Sequence, residues 1–223
     1  MREVSNLAWP ASPYSSAHRP IHRHVHLLTG LAIGPTGWAA VHLPTHRTRT
    51  LTAADARFGI HAAITDEALN PSAHGGAWVV LDRLILAARR QAAAIAAHSL
   101  VKSLTRLTRH PCPVDVSYPG IASLLPEWPE CGRLPTSTGP SRAQLIELDG
   151  LILYARSAAL LSAYPDPQPT SDADDCLAAL VTRAAVTALV AAQATGRYDL
   201  SADLDLPELL DTAAGDLLTF TRP

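Results

Sequence analysis

The sequence predicts an α/β fold in which an antiparallel three-stranded meander is continued by parallel strands into a mixed sheet, with helices on both faces. Three observations support this prediction. Residues 27–43 contain two apolar runs separated by a Gly- and Pro-rich turn, which is typical of a β-hairpin. Residues 46–52 alternate in polarity and are rich in Thr, as in an exposed third strand. Short apolar runs then alternate with long Ala-rich segments, as in parallel strands connected by helices.

The predicted elements of the first half begin with the hairpin strands at residues 27–33 and 38–43. Thr52, followed three residues later by Asp55, approximates the capping box of a helix start. Residues 77–82 (AWVVLD) form an apolar run that ends in a carboxylate, and we interpret them as a buried strand. Residues 84–109 contain neither Gly nor Pro and carry Arg and Lys toward their end, which predicts a long amphipathic helix.

The predicted elements of the second half begin with a strand at residues 113–118 (PVDVSY), which are β-branched and aromatic. Residues 124–140 contain too many Pro and Gly residues for an element interior, and they predict a loop that covers a site. Helices are predicted at residues 141–163 and 172–195, and Gly196 is expected to end the second one. Residues 214–220 are expected to return to the sheet edge.

Length and composition favour one soluble domain over residues 27–223. The 223 residues are 48% hydrophobic, enough for one buried core, and 18 Lys and Arg against 20 Asp and Glu give no general attraction to nucleic acid or membranes. Any nucleic-acid contact must come from a local patch. Three cysteines without CxxC spacing indicate neither a disulfide framework nor a zinc ribbon. With no apolar run of about 18 residues and no signal layout, we expect a cytoplasmic protein without membrane contact.

Residues 1–26 predict a flexible N-terminal arm without secondary structure. Three prolines lie among Ser, Arg and His residues, and such a segment buries little apolar surface. The arm also carries four closely spaced histidines: His18, His22, His24 and His26. They form either a metal-capturing group or part of a solvated, mildly basic arm that contacts phosphate.

Four segments together resemble one family. Residues 30–38 (GLAIGPTGW) are similar to the opening G-h-D-x-x-x-x-G-W motif of RNase H-like nucleases, which include the Holliday-junction resolvases and an uncharacterised related domain family. Three later segments resemble that uncharacterised family in order and spacing: residues 79–82 (VVLD), 114–119 (VDVSYP) and 172–180 (DADDCLAAL). The resemblance covers residues 27–195, and it implies an RNase H-like fold and metal-dependent hydrolysis of nucleic acid.

The resemblance also implies a set of site residues. Asp82, Asp172 and Asp175 would be catalytic metal ligands for Mg²⁺ or Mn²⁺, and Ala32 occupies the position of the first metal-bridging Asp. Two-metal phosphodiester hydrolysis requires carboxylates that converge from different elements. Asp172 and Asp175, three residues apart on a helix, share one face, although helix capping explains such a pair equally well.

Two acids have further alternatives. Asp82 could form a salt bridge with Arg83 or another basic neighbour instead of binding a metal. Asp115 resembles the family's acidic strand, but the sequence leaves open whether its side chain points inward or outward.

Ala32 separates two functional hypotheses, because a methyl group cannot coordinate a cation. If the alanine is an engineered Asp→Ala change, the chain is a metal-dependent nuclease made inactive or weak. If it is natural, the chain is a pseudo-enzyme, a non-catalytic RNase H-like module for binding or assembly in a protein complex. In that case its long helices could pair with a protein partner or with a second copy of the chain.

Overall fold

The computed structural model describes residues 1–6, 25–46, 48–65, 71–92, 94–100, 102–103, 119–124, 143–148, 160, 163–165, 172–200 and 204–218. The strands are β1 (Arg2–Ser5), β2 (Val25–Ile33), β3 (Gly37–His46), β4 (Leu51–Thr52), β5 (Gly59–Ile64), β6 (Ala94–Ala97), β7 (Gln144–Glu147) and β8 (Tyr198–Asp199). The helices are α1 (Pro71–Gln91), α2 (Pro119–Leu124), α3 (Ala173–Ala194) and α4 (Leu206–Ala214), with a 3-10 turn at Ala53–Asp55.

Six of these strands form one mixed sheet in the order β1-β5-β3-β2-β6-β7. β2 and β3 are antiparallel from the pair Val25 and His46 to the pair Ile33 and Trp38. β5 is antiparallel to β3, and β1 is antiparallel to β5. On the other side of β2, β6 and β7 run parallel to it. The prediction of a mixed sheet, in which an antiparallel meander is continued by parallel strands, is confirmed.

The two faces of the sheet are covered by different helices. Successive residues of a strand point to opposite faces. Leu28 and Ala32 of β2 therefore belong to the apolar cluster that contains α3. Leu31 and Ile33 belong to the cluster that contains α1. The sheet thus lies between α1 and α3, and the prediction of helices on both faces is confirmed.

Helix α3 agrees closely with its predicted bounds. The Asp172 side chain caps it by accepting a hydrogen bond from the Asp174 N–H (2.8 Å), and Gly196 follows its end with a φ of +69°. Among the described residues, α3 is the one helix long and apolar enough to cross a membrane, but 67% of that stretch is buried inside the protein. Its apolar composition serves packing against the sheet, as expected for a core helix.

The predicted third strand is wrong. Of the described residues between 46 and 52, only Leu51 and Thr52 form a strand of their own, and this strand pairs with β8 outside the main sheet. The third strand of the meander is β5 instead. Five of its six residues are buried, including His61, so β5 lacks the alternation of polar and apolar residues that indicates a half-buried strand.

The predicted strand at residues 77–82 is wrong because these residues lie inside α1. Ala77, Trp78, Leu81 and Ile85 are buried at the spacing of one helix face. The helix predicted at residues 84–109 is also wrong in extent, since α1 ends at Gln91 and β6 follows. β6 (AIAA) is buried on both faces between β2 and β7, and this burial outweighs the helix propensity of alanine.

Three further predictions differ from the structure. Residues 141–163 include the strand β7 rather than one continuous helix. Residues 214–218 do not join the sheet, because α4 ends at Ala214 and no strand follows within the described part of the tail. The predicted arm contains β1, whose pairing with β5 orders residues 2–5. The predicted strand at residues 113–118, with Asp115, and residues 125–140 of the predicted loop lie outside the described residues.

Candidate functional site

The parallel strands β2, β6 and β7 end at the same edge of the sheet. We call residues 32–34, 97–100 and 147–148, which form this edge, the carboxyl edge. In the sheet, β2 and β6 are neighbours. The chain continues from β2 into β3 on one side of this pair, and the strand that follows β6, β7, lies on the other side. The ends of β2 and β6 therefore flank a topological switch point, the place where open α/β sheets commonly bind ligands.

Ala32 lies at this edge with its side chain in the apolar cluster beneath α3. It is 7% exposed and pairs with Ala39 of β3. Leu180 of α3 packs over the neighbouring turn residue Gly34. The position predicted for the first metal ligand is therefore at a strand end, as expected, but its surroundings are apolar packing.

Asp82 lies in the interior of α1, on the opposite face of the sheet from α3. It is 5% exposed, and its Oδ1 accepts a hydrogen bond from the Ile121 N–H (2.8 Å). Burial raises the pKa of Asp82, while backbone hydrogen bonds from Ile121 and Gly120 oppose that rise. Asp82 thus binds amides at the start of α2, where the helix itself supplies no acceptor. The prediction that it ends a strand is wrong.

Asp172 and Asp175 lie together at the start of α3, where both are exposed. The same helix turn is attached to the first strand by an ion pair between Asp174 and Arg2. Leu180 comes eight positions after Asp172, which corresponds to about 12 Å along the helix axis. Since Leu180 packs over Gly34, the two acids lie beyond the end of β2 and toward β1, the strand at the opposite side of the sheet from β7.

The predicted metal ligands are therefore not brought together. Asp82 belongs to the α1 face, whereas Asp172 and Asp175 start the helix of the other face. Within the described ranges, no three His, Cys, Asp or Glu side chains form a group that could hold a metal ion. A Mg²⁺ or Mn²⁺ centre shared by these three carboxylates does not fit this placement, because metal ligands must converge within about 2–3 Å of one ion.

Glu147 is the carboxylate that does lie at the carboxyl edge. It ends β7, is 1% exposed, and receives the Ser99 N–H at Oε1 (2.7 Å) and the Leu100 N–H at Oε2 (3.1 Å). Ser99 has a φ of +54°, in the left-handed region that non-glycine residues adopt uncommonly. With this backbone conformation, the two successive amides of Ser99 and Leu100 both point at the Glu147 carboxylate. Glu147 therefore fixes the loop that follows β6.

His98, Tyr164 and Arg183 form a half-buried group beside this loop, which we call the His98–Tyr164–Arg183 cluster. The Tyr164 Oη accepts the Arg183 Nε–H (3.1 Å) and lies 2.9 Å from the His98 Nδ1. The guanidinium carbon of Arg183 is 5.2 Å from the centre of the Tyr164 ring. Burial raises the pKa of the Tyr164 hydroxyl; the Arg183 charge opposes this effect and the Glu147 charge adds to it.

None of these four residues is identified by the sequence patterns. Glu147 and the region before Tyr164 fall within the helix predicted at residues 141–163, and His98 falls within the one predicted at residues 84–109. A strand assignment for AIAA would have placed His98 at a strand end. Arg183 gives no local signal, since a charged residue in an apolar helix is ordinarily a solvent-facing position.

The class that the fold defines is an α/β protein with a six-stranded mixed sheet and helices on both faces. No family model matches the chain, and neither curated proteins nor solved structures give a match.

Proposed function

We propose that this chain is an RNase H-like domain that binds nucleic acid without metal-dependent cleavage. The proposal combines the sequence resemblance with the sheet, in which an antiparallel unit of β5, β3 and β2 is continued by the parallel strands β6 and β7. This arrangement is compatible with the RNase H-like fold. It takes the non-catalytic role from the second of the two hypotheses raised by Ala32, and it takes nucleic acid as the ligand from the first.

One observation carries the proposal: among the described residues, the carboxyl edge does not present a set of converging carboxylates. The neighbouring strands β2 and β6 reach it with Ala32 and Ala97, both buried. Glu147, the acid at the end of β7, binds the Ser99 and Leu100 amides with its two oxygens. Two-metal hydrolysis needs several carboxylates around a pair of ions about 3.5–4 Å apart. At this edge the described side chains favour binding over hydrolysis.

The alternative, a nuclease that uses Asp82, Asp172 and Asp175, would require a large rearrangement. Asp82 would have to release the Ile121 amide and cross from the α1 face of the sheet to reach the start of α3. Leaving buried amide groups without acceptors costs about 1–3 kcal/mol for each one. The observed packing therefore favours a non-catalytic role.

The test compares binding with cleavage on the same substrates. Fluorescence anisotropy with labelled single-stranded, double-stranded and branched DNA and RNA should show binding that weakens as salt rises, because phosphate contacts release counterions. The same substrates with Mg²⁺ or Mn²⁺ should remain intact. Absence of binding to every substrate at low salt would overturn the proposed function.

The variant Ala32→Asp tests the loss of the metal centre directly, and Ala32→Asn is its matched control of similar size. Because both variants place a polar group in apolar packing, circular dichroism must first show that each remains folded, and both should leave the substrates intact. Metal-dependent cleavage that appears with Ala32→Asp but not with Ala32→Asn would show that the other ligands are in place. That result would restore the nuclease hypothesis.

A further inference from the structure

The His98–Tyr164–Arg183 cluster holds a positive charge at the switch point of the sheet. Arg183 lies on α3 between Leu180, which packs over Gly34, and Ala184, which lies next to Gly30. It is therefore level with the carboxyl end of β2. Its contact with Tyr164, which in turn contacts His98, connects it to the loop that follows β6. The charge is thus located where the ends of β2 and β6 diverge.

The orientation of the Arg183 guanidinium is fixed by two contacts with one tyrosine. Its Nε–H donates to the Tyr164 hydroxyl, and its guanidinium carbon lies over the Tyr164 ring, 5.2 Å from the ring centre. Because these contacts already orient the planar guanidinium, the side chain loses less conformational entropy when it binds a ligand. The Tyr164 hydroxyl uses only the Nε–H, and the two terminal nitrogens of the guanidinium carry four further N–H donors.

No described carboxylate forms an ion pair with Arg183. The ion pairs formed among the described residues involve Arg2, Arg49 and His61, and none includes Arg183. Glu147, whose charge acts on Tyr164, accepts the two backbone amides of the loop after β6 instead of pairing with Arg183. A half-buried, oriented guanidinium without an ion pair favours an anionic ligand, because the terminal N–H groups can bind two oxygens of one anion.

We propose that the His98–Tyr164–Arg183 cluster is a binding site for a phosphate monoester. A single half-buried cation suits one terminal phosphate group better than a continuous phosphodiester strand, which is normally bound by a row of cations. If the proposed function holds, the ligand is the phosphorylated end of a nucleic-acid strand. The site itself requires only the phosphate group and would also bind inorganic phosphate.

The test compares two short oligonucleotides of the same sequence, one phosphorylated at its 5′ end and one with a free hydroxyl. The wild-type chain should bind the phosphorylated strand about tenfold more tightly or better, the effect expected of a charge-assisted, bidentate contact. Arg183→Ala should bind both strands equally. Arg183→Lys should retain only part of the preference, because a lysine lacks the planar fork and the Nε contact.

Matched controls separate the site from general charge and folding effects. Arg83 is exposed on α1, on the other face of the sheet, and Arg83→Ala should keep the full preference. Tyr164→Phe removes the hydroxyl that orients Arg183 but keeps the ring, and it should weaken the preference without reversing it. Each variant is first compared with the wild type by circular dichroism and thermal unfolding.

The outcomes distinguish this site from the proposed function. Equal binding of both strands by the wild type would overturn the phosphate site and leave nucleic-acid binding intact. If neither strand binds, but inorganic phosphate raises the melting temperature of the wild type and not of Arg183→Ala, the site is supported and the proposed function fails. Equal stabilisation of both proteins by phosphate and by sulfate would be a general ion effect and would overturn the site.

Discussion

The close approach of α3 to β2 makes Gly30→Ala a demanding test of the packing between the helix and the sheet. Gly30 is on the face of β2 that α3 covers. A Cβ added there would clash with the Ala184 carbonyl oxygen and would lie 2.7 Å from the Ala188 nitrogen and 2.9 Å from the Ala188 Cβ. The nearest obstacles are backbone atoms of α3, which cannot rotate away as the end of a side chain can. The helix must move away from the sheet to make room.

We expect Gly30→Ala to cost about 3 kcal/mol of unfolding free energy, the upper end of the usual cost of overpacking a core. With a urea slope of about 2–3 kcal/mol per M, the unfolding midpoint should fall by about 1 M or more. In a chain of this size the melting temperature should fall by roughly 6–12 °C. Chemical unfolding followed by circular dichroism at α-helical wavelengths measures both the midpoint and the slope.

Gly34→Ala is the matched control on the same strand-to-helix contact. Its added Cβ would meet the Leu180 Cδ2 at 3.2 Å, the end of a flexible side chain that can shift by a few tenths of an ångström. The expected cost is below about 1 kcal/mol. If Gly30→Ala lowers the urea midpoint no more than Gly34→Ala does, the close packing of α3 on β2 is wrong.

Three further predictions concern buried polar groups. Burial, and then the charge of His61, lower the pKa of His42 to about 3. The unfolded chain therefore binds that proton more tightly than the folded chain does. Acidification from pH 7 to pH 5 should lower the unfolding free energy of the wild type by about 2 kcal/mol, measured by urea unfolding at each pH. His42→Gln should lack this loss. The raised pKa of Asp82 acts in the opposite sense: its contribution to stability falls as pH rises through the interval between its ordinary and its raised value. The unfolding free energy of Asp82→Asn relative to that of the wild type should therefore rise between pH 3 and pH 7. A difference that stays constant over this range would contradict the prediction. Glu147→Ala should cost about 1–3 kcal/mol for each amide left without an acceptor, measured by urea unfolding, whereas Glu147→Gln should cost less because one oxygen remains.

The parts of the fold that could be predicted from the sequence have strong local signals. The hairpin of β2 and β3 has apolar runs on both sides of a turn formed by Gly34 and Gly37, where the Gly34 N–H donates to the Gly37 carbonyl (2.8 Å). Helix α3 has an Asp172 cap at its start and Gly196 in the left-handed region after its end. In each case the residues that determine the element lie within it or next to it, so tertiary contacts reinforce the local preference.

The parts that could not be predicted depend on distant partners. β5 contains His61, which is fully buried because Glu3 of β1 lies 2.8 Å from its Nε2 and Trp38 packs against its ring. β6 is a strand because β2 and β7 hydrogen-bond to it on both sides, although its alanines favour a helix. A pattern confined to one segment contains neither the buried polar partner nor the neighbouring strands.

The His98–Tyr164–Arg183 cluster could not be predicted for a related reason, because its three residues come from three separate segments. The acids that the sequence pattern selects stand at helix starts or in a helix interior, where they bind backbone amides, as Asp82 and Asp172 do. The carboxyl edge instead combines alanine at the ends of β2 and β6 with an oriented Arg183. An arginine at that position would repel the divalent cations that a nuclease gathers there, and without those cations it can itself contact phosphate. On the proposed function, the loss of a carboxylate at Ala32 and the presence of Arg183 are then two parts of one change, from an edge that holds cations to an edge that binds the anion directly.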